Sequence, residues 1–349
     1  MATSVVAVDV GSEALRAVEV DDPSKATPTI LRAHQLPLPD GSVKRGEVIE
    51  VNTVASALKR LWAAGGFRSK NVMLGIGGQS VIVRDLVVPR LPVAQIKESL
   101  PFQVQDLLPV PVNEAVLDFY PIAEAENETG MVINGLLVAA FKQAVTANVS
   151  AFTTAGLMPV GMDLTPFALT RLHALAAPTA GYAVHLNIGA NATSIVIALG
   201  GVPHFVRIVP TGGDDATRSI MGRLNLPRER AEALKRGVGL TSSGTTEESH
   251  RAAEVVHEAT SELLTAIRNT LAYFVSARPG TVFDHISVTG GAMRLAGFAP
   301  ALADSMRVPV VPVDPLKLVS VGRGVKGWGE TKDPFAYTTA IALITGGAK

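Results

Sequence analysis

Val5-Val6-Ala7-Val8-Asp9-Val10-Gly11-Ser12-Glu13-Ala14-Leu15-Arg16-Ala17-Val18-Glu19-Val20 decides the fold of this chain. Val5–Val10 is almost wholly apolar, as a strand buried on both faces must be. Gly11-Ser12 turns the chain. Leu15–Val20 then alternates polar and apolar side chains, as a neighbouring antiparallel strand does. The arrangement returns with a strand at Ala183–Ile188, a turn at Gly189–Ala192 and a strand at Thr193–Leu199. Asp9-Val10-Gly11 lies 178 positions before Asn187-Ile188-Gly189. Apolar–Gly–apolar hairpins recur by chance. A shared polar residue two places before the glycine favours duplication, with two related halves facing each other.

Composition sets the frame. At 349 residues the chain has room for about two domains. It holds no cysteine, which excludes disulfides, zinc–cysteine sites, iron–sulfur clusters and thiol catalysis. With 31 basic and 31 acidic residues it has no net field to favour nucleic acid or anionic lipid. Hydrophobic content of 47% against 18% charged is that of a globular protein. Apolar stretches such as Gly130–Phe141 are too short or too polar for a bilayer, so no direct membrane insertion is expected. Met-Ala-Thr-Ser-Val-Val has no basic region ahead of an apolar one, so no signal peptide is expected and the reading is cytoplasmic.

Between the two hairpins the pattern is mixed α/β. Thr53–Ala64 reads as an amphipathic helix stopped by Gly65-Gly66. Asn71–Ile76 and Ser80–Val88 read as strands. Val93–Leu107 has helical spacing that Pro101 must kink or split. Ala115–Ile122 and Met131–Phe141 read as strands around an acidic hairpin tip, Glu124–Gly130. Ala144–Ala155 is a helix, Pro159–Asp163 a strand, and Thr165 caps a helix that begins with Pro166. Ala177–Gly181 is the best linker. Beyond it, Val202–Val209 is a strand and Asp214–Leu224 and Arg228–Arg236 are helices. Leu240–Ser249 is a polar loop and His250–Ala277 a long helix. Asp284–Val288 is a strand entering Gly290-Gly291, and a last helix lies near Phe335–Ile344. The domains are expected at 1–180, with a subdomain inserted at about 71–145, and at 181–349, with a helical subdomain at about 214–277. The last helix has the option of returning to the first domain.

Two glycine hairpins with an acid just before them suit a nucleotide. Backbone amides of such turns form an anion site, and an Asp at a strand end can hold Mg²⁺ through water. A hairpin glycine alone is more often only a turn residue. No P-loop sequence occurs, and Gly75-Ile76-Gly77-Gly78 leads into a strand, against a dinucleotide site. His250 and His257 read as solvent-facing and not as a metal pair. Phe102 and Phe119 read as core, with a peptide groove as the alternative.

Five motifs in order resemble the actin, heat-shock-chaperone and sugar-kinase ATPase superfamily. They are Asp9-Val10-Gly11-Ser12 with Arg16, Asn187–Thr193, Gly212-Gly213-Asp214-Asp215, Ala231–Arg236 and Thr289–Gly297. The resemblance implies a duplicated two-domain actin-like (ribonuclease H-like) α/β fold with an inserted subdomain, binding ATP or ADP with Mg²⁺. It assigns the first phosphate loop to Asp9, Gly11, Ser12, Glu13, Ala14 and Arg16, with Asp9 holding Mg²⁺ through water. It assigns the second to Asn187, Gly189, Ala190, Asn191 and Thr193. Gly212, Gly213 and Asp214, then Glu232, Lys235 and Arg236, then Gly290, Gly291 and Met293 complete the nucleotide site. Arg16 reads equally as an exposed strand residue, and Glu232 with Lys235 as a surface ion pair. Asp163 is a weak catalytic candidate that helix-start electrostatics explains nearly as well. Asn187 stands where the superfamily carries Asp and cannot act as a carboxylate base, so at most a weak ATPase is expected.

Within the superfamily, Val83–Pro89, Leu108–Phe119 and Val160–Leu169 resemble the PilM family of type IV pilus assembly. That resemblance implies a scaffold peripheral to the inner face of the membrane. It docks the cytoplasmic N-terminal peptide of PilN in a groove that includes parts of about Leu86–Val116. Pilus motor ATPases and self-association are further contacts it allows. One alternative is an FtsA-like division protein, which needs a basic amphipathic tail that Ile344–Lys349 does not supply. The other is a sugar-kinase-type phosphotransferase with Asp163 as base.

Overall fold

The computed structural model describes residues 4–345 except 26, 45, 129, 243, 324 and 326–334. The chain-end reading at 346–349 lies outside them.

β1 (Val5–Val10) and β2 (Ala14–Val20) pair antiparallel, with Asp9 opposite Arg16. β3 (Thr29–Pro37) adds to β2. A short ribbon, β4 (Val43–Lys44) and β5 (Glu47–Val48), leads into α1 (Val51–Gly65). Gly66 ends α1 in the left-handed region at φ 64, where a side chain would be strained. β6 (Asn71–Ile76) then lies parallel beside β1.

The chain next leaves this sheet. β7 (Val81–Pro89), α2 (Val93–Gln103), β8 (Ala115–Asn127) and β9 (Gly130–Phe141) build a separate antiparallel sheet in the order β7-β9-β8. Ile96 and Leu100 of α2 are buried against Val88, Phe119 and Leu137 of that sheet. Helix α2 runs on through Pro101 and ends two residues later at Gln103. Proline costs it one hydrogen bond but leaves the preceding turn intact. The acidic hairpin tip is shorter than expected, because Glu124–Asn127 stay in the ladder against β9.

α3 (Lys142–Thr154) and β10 (Met158–Leu164) bring the chain back to the first sheet, followed by α4 (Thr165–Ala176). Thr165 is not the cap of α4. Leu164 occupies that place without a side-chain hydrogen bond, and Thr165 is already helical.

The second sheet contains β11 (Tyr182–Ile188), β12 (Thr193–Leu199), β13 (Val202–Val209), β14 (Phe283–Thr289) and β15 (Val310–Pro312). Helices α5 (Gly213–Leu224), α6 (Arg228–Val238) and α7 (Glu247–Ala277) lie between β13 and β14, and α8 (Phe298–Met306) between β14 and β15. Helix α7 starts earlier than the polar loop suggested, because Thr246 caps it by accepting from the Ser249 amide. His250 and His257 on α7 are exposed. β16 (Ser320–Val321) returns to pair with β3, and α9 (Thr338–Ile344) packs among β1, β2, β6 and α4.

The two large sheets have one topology. The first runs β10-β6-β1-β2-β3, with the short β16 added outside β3, and the second β15-β14-β11-β12-β13. Each is an antiparallel meander joined to two parallel strands. Alternation along β1 sends Val6 and Val8 into the layer with α1 and α3, and Ala7 into the layer with α4 and α9. In β11, Val184, Leu186 and Ile188 face the core shared with α7 and α8. Of its intervening residues, His185 meets His173 of α4 and Asn187 lines the space between the sheets.

Candidate functional site

The two hairpin tips are equivalent. Gly11 N–H donates to Ala14 O at 3.1 Å, and Gly189 N–H donates to Ala192 O at 3.0 Å. A Cβ on either glycine would stand 3.0 or 3.1 Å from that carbonyl, so glycine permits the tight turn. The glycine amides are thus consumed inside the turns. Among the described residues, the next two amides of each tip, Ser12 with Glu13 and Ala190 with Asn191, have no hydrogen-bond acceptor. Four such N–H groups at two turn tips are donors of the kind that an anion can accept from.

The segment Gly212-Gly213-Asp214 supplies no free amides. Gly213 N–H donates to Gly189 O at 2.9 Å and Asp214 N–H to Ala190 O at 2.8 Å. The second tip therefore caps the start of α5 with its carbonyls, leaving its own amides turned away. Gly212 permits this approach, since a Cβ there would lie 2.4 Å from Ala190 O.

Charge surrounds the resulting cleft, which has a cavity volume of about 260 Å³. Asp9 faces Arg16 at 3.6 Å. Burial pushes the Asp9 carboxyl up, outweighing the pull of Arg16 downward. The matching pair on the second sheet is Asn187 opposite Ser194, so both charges are absent together. Arg294 lines the same cleft, and its pKa is lowered by burial and by repulsion from Arg16 and Arg236. Arg16 and Arg236 each have an acid beside them, Asp9 at 3.6 Å and Glu232 at 2.8 Å, so the cleft carries both signs of charge. Lys235 Nζ reaches Glu232 at 2.6 Å, Thr217 Oγ1 at 2.8 Å and Gly213 O at 3.0 Å. Burial would raise the Glu232 carboxyl. Hydrogen bonds from Lys235, Thr217 and Arg236 instead bring its pKa down to about 2. Arg228 on α6 joins Asp214 at 2.6 Å to Glu13 of the first tip, a link between the two halves of the cleft.

Of the residues singled out in the sequence, most come together here. Asp9, Gly11, Ser12, Glu13, Arg16, Asn187, Gly189, Ala190, Asn191, Gly212, Gly213, Asp214, Glu232, Lys235, Arg236, Gly290 and Gly291 all line the cleft. Four do not. Ala14 is buried beneath the first tip, and Met293 packs in the core of the second sheet. Thr193 turns inward to donate to Thr211 O at 2.7 Å. Asp163 is taken up by an ion pair with Arg171 and does not line the cleft. Arg16 is not an exposed strand residue, because its side chain is only 21% accessible.

Residues not singled out also line it: Gly46, Gly75, Gly77 and Thr165 from the first half, Thr260 and Arg294 from the second, and Thr338 and Thr339 of α9. The glycine run at 75–78 carried a signal of a different kind. A Cβ on Gly75 would meet Thr165 Oγ1 at 2.7 Å, so that glycine admits the start of α4 to the floor of the cleft.

The donor set fits a phosphate-bearing ligand and Mg²⁺. Gly291 has nothing within 4 Å of where its Cβ would be, so its backbone borders open space that a flat or anionic group can enter. Asp9 is one carboxylate in a site with no cluster of three metal-ligating side chains among the described residues. Mg²⁺ accepts such a site when water and phosphate complete its six ligands.

Two sheets of one topology, facing across a glycine-lined cleft, with a three-stranded insertion in the first half, define an actin-like duplicated α/β protein. Solved structures with that fold include the ethanolamine utilization protein EutJ from Carboxydothermus hydrogenoformans. It is 14% identical with a TM-score of 0.58, over 99% of this chain and 91% of that one. MreB5 of Spiroplasma citri bound to ADP is 11% identical with a TM-score of 0.53, over 97% and 94%. The chain belongs to the family of the type IV pilus assembly protein PilM, whose family model matches residues 7–345. It is also similar to the structure of a PilM–PilN type IV pilus biogenesis complex, at 28% identity and a TM-score of 0.83 over 97% of each chain. Among the described residues, no helix is long and apolar enough to cross a membrane.

Proposed function

We propose that this protein is a nucleotide-binding scaffold of type IV pilus assembly that docks the cytoplasmic peptide of a PilN-like membrane partner. The observation that carries the nucleotide reading is the pair of hairpin tips whose four amides have no acceptor among the described residues, set among Arg16, Lys235, Arg236 and Arg294. Taking residues 1–180 and 181–349 as the two domains, the tips come one from each. A bound nucleotide with Mg²⁺ supplies a polyanion that both tips contact at once. Asp9 would hold Mg²⁺ through water, and the amides of Ser12, Glu13, Ala190 and Asn191 would hold phosphate oxygens. Glu232 and Lys235 would face the nucleoside.

Hydrolysis is expected to be weak. Asn187 has no carboxylate to orient or deprotonate water, Asp163 is held by Arg171, and Glu13 is held by Arg228. Calorimetric titration of MgATP and MgADP is expected to give saturable binding, weakened about tenfold or more by Asp9→Ala and by Lys235→Ala. Absence of binding in folded protein freed of co-purified nucleotide sinks the reading.

The similar PilM–PilN complex and one feature of the insertion support a peptide partner. Val87, Leu91, Val93, Phe102 and Val116 are exposed, Phe102 to 78%. Phe102 is thus not a core residue, whereas Phe119 is buried at 3%. A large exposed aromatic with exposed aliphatic neighbours in sequence fits an apolar peptide. Phe102→Ala is expected to weaken binding of the partner's N-terminal peptide about tenfold with no change in unfolding temperature. Unaltered affinity would remove this stretch from the docking surface.

A further inference from the structure

β11 and β14 lie parallel in a register that puts His185 beside Ser287 and Asn187 beside Thr289. The pleat sends these four side chains to one face. There His173, wholly buried on the last turn of α4, touches both strands. Its Nδ1 is 2.6 Å from Ser287 Oγ, and its Nε2 is 3.1 Å from Thr289 Oγ1. His185 Nδ1 reaches the same Ser287 Oγ at 2.7 Å. Thr289 Oγ1 is 3.2 Å from Asn187 Oδ1 and 3.3 Å from Leu186 O. His185 Nε2 is buried with no hydrogen-bond partner.

That orphan nitrogen sets the His185 tautomer, and distance sets the rest: Ser287 Oγ is 2.6 Å from His173 Nδ1 but 3.4 Å from Val184 O, so its proton goes to the nearer imidazole. A neutral imidazole has one N–H and one lone pair, and a hydroxyl has one proton to give. Both rings are neutral here. Burial and the nearby His285 hold the His185 pKa at about 4, and burial with His185 and His285 keeps His173 well below its ordinary value. If Ser287 donated to His185, the His185 proton would sit on Nε2, a buried N–H with no acceptor. Orphaned N–H groups are rarer in folded proteins than under-used acceptors. In the opposite direction only a lone pair is left over. His185 Nδ1–H then donates to Ser287, Ser287 to His173 Nδ1, and His173 Nε2–H to Thr289. The Thr289 proton goes to Asn187 Oδ1, shared with Leu186 O.

We infer that His173 is a positioning residue for the cleft, holding the Asn187 carboxamide through Thr289 so that Oδ1 is turned inward and the Nδ2 hydrogens donate to an anionic oxygen of the ligand. This rests on the phosphate-bearing ligand proposed above. The second tip then presents a donor where a carboxylate would repel phosphate. Metal binding is left to Asp9.

The inward half is tested without any variant. Long-range proton–nitrogen NMR of the full chain at pH 7.5 is expected to show His173 as the Nε2–H tautomer and His185 as the Nδ1–H tautomer. The reverse assignment overturns the inference. The outward half is tested by titrating MgADP. Thr289→Val is expected to weaken binding about fivefold, the worth of one hydrogen bond. Thr289→Ser is expected to restore it, and Thr289→Val is expected to add nothing once Asn187→Ala is present. Wild-type binding with an unchanged affinity in Thr289→Val overturns the inference but leaves the function reading standing. A wild-type chain that binds no nucleotide overturns the function reading and the outward half together, and the tautomers still judge the inward half.

Discussion

Replacing Gly290 by alanine is expected to lower stability by about 3 kcal/mol or more and to abolish nucleotide binding. Gly290 has φ +96 and ψ 177, a region that is essentially closed to other residues. Its Cβ would lie 2.4 Å from Ile188 O and 2.8 Å from Ile188 N. Both are backbone atoms in the last position of a central strand, so neither can swing aside as a side chain would. Relief requires β14 to separate from β11 at the rim of the cleft, and Asn187, Gly189 and Gly291 shift with it. Gly291→Ala is the comparison. Nothing stands within 4 Å of its Cβ, so the unfolding temperature should hold while the added methyl group intrudes on the ligand. Thermal unfolding and calorimetric titration of both variants check this. Equal unfolding temperatures for the two would refute the backbone argument.

Acid is expected to destabilise the protein between pH 6.5 and about 4, before most carboxylates titrate. His173 and His185 have folded pKa values below the unfolded value of about 6.5. Within that window the unfolded chain binds more protons, so stability is present above pH 6.5 and is lost as pH falls. For His185, with a folded pKa of about 4, the loss sums to roughly 3 kcal/mol at the lower end. His173 adds in the same direction. His285 on β14 lies near both rings and lowers the pKa of each. Glu232, held at about 2, contributes only below about pH 4.5. Asp9 has the opposite sign, because its raised pKa makes protonation favour the folded state. Denaturant unfolding at pH 7, 5.5 and 4.5 should show the decline, and His185→Gln should flatten it. A stability independent of pH over that range would contradict neutral buried imidazoles.

The two hairpins were legible because their signals are local. Alternation and one glycine suffice for a strand, a turn and a strand, and a spacing of 178 residues ties one to the other. Asn187 was legible as a departure, but its meaning was not. The sequence holds Asp9 and Asn187 as a charged and a neutral version of one position. The register shows that Arg16 and Ser194 differ in the same sense, so the second tip lacks a charge pair and not only a carboxylate. Asp163 and Asp214 looked alike as acids beside helix starts. Arg171 and Arg228 decide what each can do, and neither partner is announced by spacing alone.

By itself the sequence determined the two hairpins, most of the longer strands and helices and the glycine positions, since these follow from side-chain periodicity and backbone freedom over a few residues; the short strands β4, β5, β15 and β16, with β3 and α8, carried no such signal. Only the tertiary structure decided which amides remain unpaired, that α9 and the start of α4 reach the cleft, that Phe102 is exposed while Phe119 is buried, and which way Asn187 faces. Each of these depends on which surfaces meet between segments far apart in the chain, Gly75 with Thr165 and Asn187 with Thr289 among them. The deciding contacts are packing distances and single protons, which leave no periodic trace in the order of the residues.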